Sequence, residues 1–217
     1  MTSKRLQKEL LLCQDPKLKE TGIYYFIKNE NMETGTALLF GPKDTPYEYC
    51  PLEFEFKIPT EYPYVPPIVH YKTNDGITRF HPNFYMDGKV CLSILGTWSG
   101  PKWASSMNIS TVLLSLYSIL TSNPLQHEPS YESILPTFPK AFQYSNYVEH
   151  NLIKLFLKQY EYGYYNSWND PTFQENLLKN IKCIKEKVFI KAQSQEQIYT
   201  LLPYSMVGST SWKSVKI

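Results

Sequence analysis

Apolar residues recur at helical spacing in four stretches of the chain, and the first lies at its N-terminal end. Leu6, Leu10 and Cys13 fall on one face of a predicted helix, while basic residues occupy another face. Thr2 or Ser3 supplies the N-cap, since a hydroxyl at this position accepts a hydrogen bond from the first turn.

The other three predicted helices lie in the second half of the chain. One begins after Ser106 or Asn108, carries a broad apolar face, and ends by Asn123-Pro124. Two amphipathic helices follow, at about 139–158 and 171–192, each with a single apolar stripe. Such stripes are typical of helices that pack in a hydrophobic core.

Four predicted strands fill the region between the first two helices. Apolar runs at 23–27 and 36–40 predict neighbouring antiparallel strands, with a turn at 29–31 between them. From Leu52 to Ile58 apolar and charged residues alternate, which predicts a strand with one buried and one solvated face. Residues 68–71 form the fourth strand, so the pattern predicts a meander followed by helices.

Composition and charge narrow the range of functions. The chain of 217 residues has 22 Lys and Arg against 20 Asp and Glu, so no bulk attraction to nucleic acid or anionic lipid is expected. No apolar run approaches the ~18 residues of a membrane span. The four cysteines form no CxxC pair and have no histidine at metal-ligand spacing. We therefore expect free thiols in a reducing compartment, the cytoplasm or nucleus, with no metal, cofactor, membrane or nucleic-acid partner.

The segment from His81 to Leu95 holds the best candidate for chemistry. Cys91 follows a Met-Asp-Gly-Lys turn and precedes an apolar run, which would place a nucleophilic thiol at the edge of a packed element. A lone cysteine is more commonly a small buried hydrophobe, so the pattern by itself leaves both interpretations open. His81 precedes a proline, where an imidazole has little reach, and is interpreted as structural.

Several motifs arrive in an order that resembles the ubiquitin-conjugating (E2) family. Lys4 to Leu10 is similar to the family's first helix, Tyr62 to Pro67 to its proline loop, and His81-Pro82-Asn83 with Cys91 to its active-site signature. The longer loop at 95–101 is similar to that of the larger Z-type E2s and of the E2 domain in giant inhibitor-of-apoptosis proteins.

The resemblance implies an α+β E2 (UBC) fold with an N-terminal helix, a four-stranded antiparallel meander, a central helix and an extended C-terminal helical region. We expect residues 1–131 to form the catalytic core, residues 132–192 to form helices packed on that core, and residues 193–217 to form a weakly structured tail. The family's modifier is activated in an ATP-dependent pathway and reaches the E2 from an E1 enzyme.

The resemblance also assigns roles to residues near the cysteine. Cys91 would accept the modifier as a thioester and pass it to a lysine amine. Asn83 would stabilise the oxyanion of that transfer, or hold the active-site loop through backbone hydrogen bonds. Tyr85 would line the path of the incoming lysine. Glu128 would orient the lysine, although the family usually has Asp before the proline and His127 is a rival.

Partner-binding residues follow from the same resemblance. Arg5, Lys8, Tyr64, Trp103 and Ser105 lie where the family binds E1 and E3, although the family's Trp-Ser-Pro-Ala loop has lost its proline here. The implied partners are ubiquitin or a related modifier, an E1, an E3 and protein substrates. The alternative is a non-catalytic E2-like module that binds ubiquitin or a ligase.

Overall fold

The computed structural model describes residues 4–28 and 32–216, so the cap at Thr2 or Ser3 and the turn at 29–31 lie outside the described residues. The chain forms two compact units. Unit 1 comprises residues 1–40, 52–73 and 83–119, and unit 2 comprises residues 41–51, 74–82 and 120–217.

Two short helices open unit 1. The first, α1, spans Lys4–Leu12 and buries Leu6 and Leu10, as its pattern predicts. A second helix, α2, spans Pro16–Thr21 and was not predicted. Its start has a local cause: the carboxylate of Asp15 accepts a hydrogen bond from the amide of Lys17, and proline is well tolerated in a first helical turn.

The four strands of unit 1 form one sheet in the order β1-β2-β3-β4. They span Ile23–Ile27, Thr34–Phe40, Pro51–Lys57 and Ile68–Tyr71, and the pairs β1–β2 and β3–β4 are antiparallel. The predicted meander is confirmed. The predicted solvated face of β3 is wrong at Glu53, which is only 8% exposed and whose amide donates to Thr73 Oγ1 over 2.8 Å.

The central helix, α3, spans Ile109–Ser118. Of the two predicted caps, Asn108 is the one used: its Oδ1 accepts from the amide of Thr111 at 2.9 Å, and Thr111 Oγ1 accepts from the amide of Asn108 at 3.4 Å. This reciprocal capping satisfies two N-terminal amides. The helix buries its predicted apolar face, namely Ile109, Val112, Leu113 and Leu116.

Unit 2 contains the two long amphipathic helices, α4 (Pro139–Glu161) and α5 (Pro171–Lys191). Asp170 caps α5 by accepting from the amide of Phe173 at 2.9 Å. Ion pairs join the two helices, because Glu149 on α4 contacts both Lys187, at 2.7 Å, and Lys191 on α5. No helix within the described ranges is long and apolar enough to cross a bilayer.

Residues 193–216 contain two short strands and several buried side chains, in the region where we expected a weakly structured tail. Strands β5 (Gln197–Tyr199) and β6 (Gly208–Thr210) form an antiparallel pair, and Tyr199 and Trp212 are buried. Lys191 Nζ lies 4.7 Å from the centre of the Trp212 ring. These apolar residues follow no helical or strand period because they are spread over short strands and turns, so periodicity does not reveal them.

Candidate active site

A tight turn in unit 1 brings Asn83 close to Cys91. Residues 83–91 fold back on themselves, with a bridge between Phe84 and Val90 and a 2.9 Å hydrogen bond from the amide of Tyr85 to the carbonyl of Lys89. Gly88 makes the turn possible because its φ of 93° lies in the left-handed region. Asn83 is thereby placed opposite Cys91.

Asn83 and Cys91 hold each other through two hydrogen bonds. The amide of Cys91 donates to the carbonyl of Asn83 at 2.8 Å, and Asn83 Nδ2 donates to the carbonyl of Cys91 at 2.7 Å. The side chain of Asn83 therefore fixes the backbone of the cysteine. This contact corresponds to the loop-holding role; the oxyanion role stays a prediction.

The cysteine itself is well covered. Cys91 is 2% exposed, and the residues on either side of it, Val90 and Leu92, are also buried. Tyr85 is half-buried on the facing arm of the turn, and Lys89 Nζ lies 5.4 Å from the centre of its ring. Tyr85 thus lies two residues after Asn83 on this arm, and its role in lining the path of the lysine stays a prediction.

The rival candidates for orienting a lysine, Glu128 and His127, belong to unit 2. Glu128 accepts a 2.7 Å hydrogen bond from the hydroxyl of Tyr204. Burial lowers the pKa of His127, which favours the neutral imidazole. His81 is fully buried, with its ring 5.2 Å from that of His127 and 5.9 Å from that of Tyr47, which suits the structural role predicted for it.

The residues expected to bind partners divide into exposed and supporting side chains. Tyr64 is 84% exposed, and Lys8 and Ser105 are also exposed. Trp103 is half-buried and donates from Nε1 to the carbonyl of Pro63 at 2.7 Å, so it fixes the proline loop. An exposed cation, an aromatic ring and a hydroxyl are thus presented by separate elements of unit 1.

Sequence reasoning missed Glu9, which organises this part of unit 1. Its carboxylate is nearly buried and accepts hydrogen bonds from Arg5 Nε at 2.7 Å, from the hydroxyl of Tyr62, and from the amide of Ile109 at 3.2 Å. It therefore links α1, the proline loop and the start of α3. The available signal was position: Glu9 lies between Leu6 and Leu10, at the edge of the apolar stripe.

Comparison with known proteins decides the family. The family model described as ubiquitin-conjugating enzyme matches residues 5–150. The chain belongs to the ubiquitin-conjugating enzyme family. The E2 signature His81-Pro82-Asn83 and Cys91 lie within the matched range.

Two relatives agree with the predicted resemblance. The chain is 53% identical to ubiquitin-conjugating enzyme E2 Z of Homo sapiens over 97 residues, which is 44% of this chain and 27% of that protein. It is 34% identical to the dual E2 ubiquitin-conjugating enzyme/E3 ubiquitin-protein ligase BIRC6 of Homo sapiens over 196 residues, which is 88% of this chain and 4% of that protein. The chain thus matches only a small part of either relative's length.

A solved structure confirms the α+β E2 fold. The E2 domain of a Toxoplasma gondii ubiquitin conjugating enzyme superposes with a TM-score of 0.50 at 26% identity, covering 68% of this chain and 95% of that one.

Proposed function

We propose that this E2 accepts ubiquitin, or a related modifier, from an E1 as a thioester on Cys91 and transfers it to a lysine amine, directly or with an E3. The observation that carries the proposal is the paired hydrogen bonding of Asn83 and Cys91, which holds a family-signature cysteine in a defined backbone geometry. The cytoplasm or nucleus is the expected compartment, since the pathway works with free thiols.

The first step is an exchange of thioesters. The thiolate of Cys91 attacks the C-terminal carbonyl of the modifier, and the thiolate of the E1 cysteine leaves. Such an exchange is nearly balanced, because one thioester replaces another and one cysteine thiolate replaces another. Because Cys91 is 2% exposed, neighbouring side chains have to shift when the modifier docks, while the hydrogen bonds of Asn83 keep the backbone of the cysteine in place.

The second step forms the isopeptide bond. A neutral lysine amine attacks the thioester carbonyl, the Cys91 thiolate leaves, and the amine proton passes to solvent. The negative charge that develops on the carbonyl oxygen needs a fixed donor, for which Asn83 Nδ2 is the candidate. Tyr85 would contribute by desolvating the amine, which lowers its pKa. Glu128 would orient the amine, with His127 as the rival.

Partner binding would use the surface formed by Lys8, Tyr64 and Ser105, supported by Arg5 and Trp103. Because E2 Z and BIRC6 carry ubiquitin conjugation in their names, ubiquitin is the modifier to test first. This surface would select the E1 and the E3 that work with the protein, and the E3 would in turn bring the substrates.

The test is a thioester assay with E1, ATP and ubiquitin. We expect a ubiquitin-sized adduct that reductant removes, that Cys91→Ala abolishes, and that Cys91→Ser converts into a reductant-resistant ester. Cys183→Ala is the matched control, since Cys183 is the one cysteine that is not buried, and it should form the adduct normally. A protein that binds ubiquitin but forms no adduct with any E1 would instead be a non-catalytic module.

A further inference from the structure

The loop after the cysteine turns back sharply toward it. A short 3₁₀ turn at Ser93–Leu95 ends at Gly96, whose φ of 72° is left-handed and whose amide donates to the carbonyl of Ser93 at 2.9 Å. The following residue, Thr97, is thereby placed beside Val90 and Leu92, the two residues that flank Cys91 in the chain.

The hydroxyl of Thr97 binds the backbone on both sides of the cysteine. Oγ1 donates to the carbonyl of Val90 at 2.6 Å and accepts from the amide of Leu92 at 2.9 Å. The amide of Thr97 adds a third bond, to the carbonyl of Leu92 at 3.2 Å. One side chain therefore fixes the peptide groups before and after Cys91.

Asn83 acts on the same three-residue segment. It binds the amide and the carbonyl of Cys91 itself, whereas Thr97 binds the residues that flank it. The backbone carbonyl and side chain of Asn83, together with the side chain of Thr97, leave the backbone from Val90 to Leu92 with little freedom. Thr97 itself is exposed, so burial does not explain why its hydroxyl is ordered.

We propose that Thr97 is a positioning residue for the reaction of Cys91: its hydroxyl holds the segment Val90–Leu92 so that the sulfur is directed at the modifier's carbonyl. The inference rests on the proposed function for its catalytic consequence, but the restraint on the cysteine is a property of the fold. A displacement of about 1 Å in a reacting group can cost up to ~100-fold in rate.

The test compares Thr97→Val, which keeps the shape and removes the hydroxyl, with Thr97→Ser, which keeps the hydroxyl. We expect Thr97→Val to lower the rate of thioester formation about ten-fold, and Thr97→Ser to stay within about two-fold of the parent. Ser99→Ala removes another exposed hydroxyl from the same loop and should leave the rate unchanged.

Alkylation of the cysteines supplies a readout that needs no partner. Iodoacetamide should modify Cys91 several-fold faster in Thr97→Val than in Thr97→Ser, measured by mass spectrometry of the separate peptides. Cys13 is the internal control in the same unit, because it is fully buried and burial raises the pKa of its thiol to about 11. If Thr97→Val unfolds as a whole, iodoacetamide would modify Cys13 as well as Cys91. The same comparison of alkylation rates would then be made with Thr97→Ala.

The outcomes separate the two proposals. Equal alkylation of Cys91 in all variants, or faster thioester formation in Thr97→Val, would overturn the positioning role. Absence of any thioester in the parent and in Thr97→Ser would count against the proposed function, while selective alkylation of Cys91 in Thr97→Val would still show that Thr97 restrains it.

Discussion

Replacing Glu9 by alanine should destabilise the protein because one carboxylate serves three donors. The buried amide of Ile109 would lose its acceptor, at a cost of about 1–3 kcal/mol. The part-buried hydroxyl of Tyr62 would lose its acceptor, at a cost of about 1 kcal/mol, which is the net contribution of a typical hydrogen bond. The pair with Arg5 adds less than ~1 kcal/mol, because the Arg5 side chain is 39% exposed and water screens it. The three losses together lower the free energy of unfolding by about 3 kcal/mol.

For a chain of this length, that loss corresponds to a fall in Tm of about 6–12 °C. Urea unfolding and calorimetry would measure it, and hydrogen exchange at the amide of Ile109 should quicken. Glu20→Ala, which removes an exposed glutamate from α2, is the control and should change stability by less than ~0.5 kcal/mol.

A double-mutant cycle tests the reasoning directly. Tyr62→Phe removes only the hydroxyl that Glu9 accepts from, so its effect should be largely absent when Glu9 is already alanine. If Glu9→Ala unfolds at the same urea concentration as the parent, or if the two substitutions are additive, the assigned role of the carboxylate is wrong.

Three further predictions concern unit 2 and the cysteine. Burial lowers the pKa of His127 and His150, so the unfolded state binds more protons below about pH 6.5. The urea concentration at the midpoint of unfolding should therefore be lower at pH 5.5 than at pH 7.5. The difference should be smaller in His150→Gln. Gly41→Ala should lower Tm sharply, because its Cβ would lie 2.1 Å from the carbonyl oxygen of Tyr47. Asn83→Ala should slow thioester formation as well as discharge, since Nδ2 binds Cys91; slow discharge alone would contradict the loop-holding role.

Where a buried face repeats along an element, the sequence predicted that face closely. The apolar stripes of α3, α4 and α5 and the apolar positions of β3 repeat over several turns or residues, and each repeat strengthens the same interpretation. The charged positions of β3 were predicted less well, since Glu53 is buried. The caps Asn108 and Asp170 were also predictable, because a side chain that caps a helix acts on an amide only two or three residues away.

The elements that were missed depend on single contacts between residues far apart in the chain. Glu9 looked like a surface residue because its donor Ile109 lies 100 positions away. Thr97 looked like any polar residue of a loop, since only the fold brings its hydroxyl to the cysteine. Trp212 is one apolar residue among polar ones, and the ring of His150, 5.0 Å away, is part of what buries it. No local pattern encodes such contacts.

The interleaving of the two units along the chain has a consequence for synthesis. The chain alternates between unit 1 and unit 2 through six segments, and the last one runs from residue 120 to residue 217. On a ribosome, residues 41–51 and 74–82 therefore emerge long before the helices of their own unit exist. A nascent chain halted after Tyr131 would hold both segments without α4 and α5, so it should be a substrate for chaperones until translation of the C-terminal helices is complete.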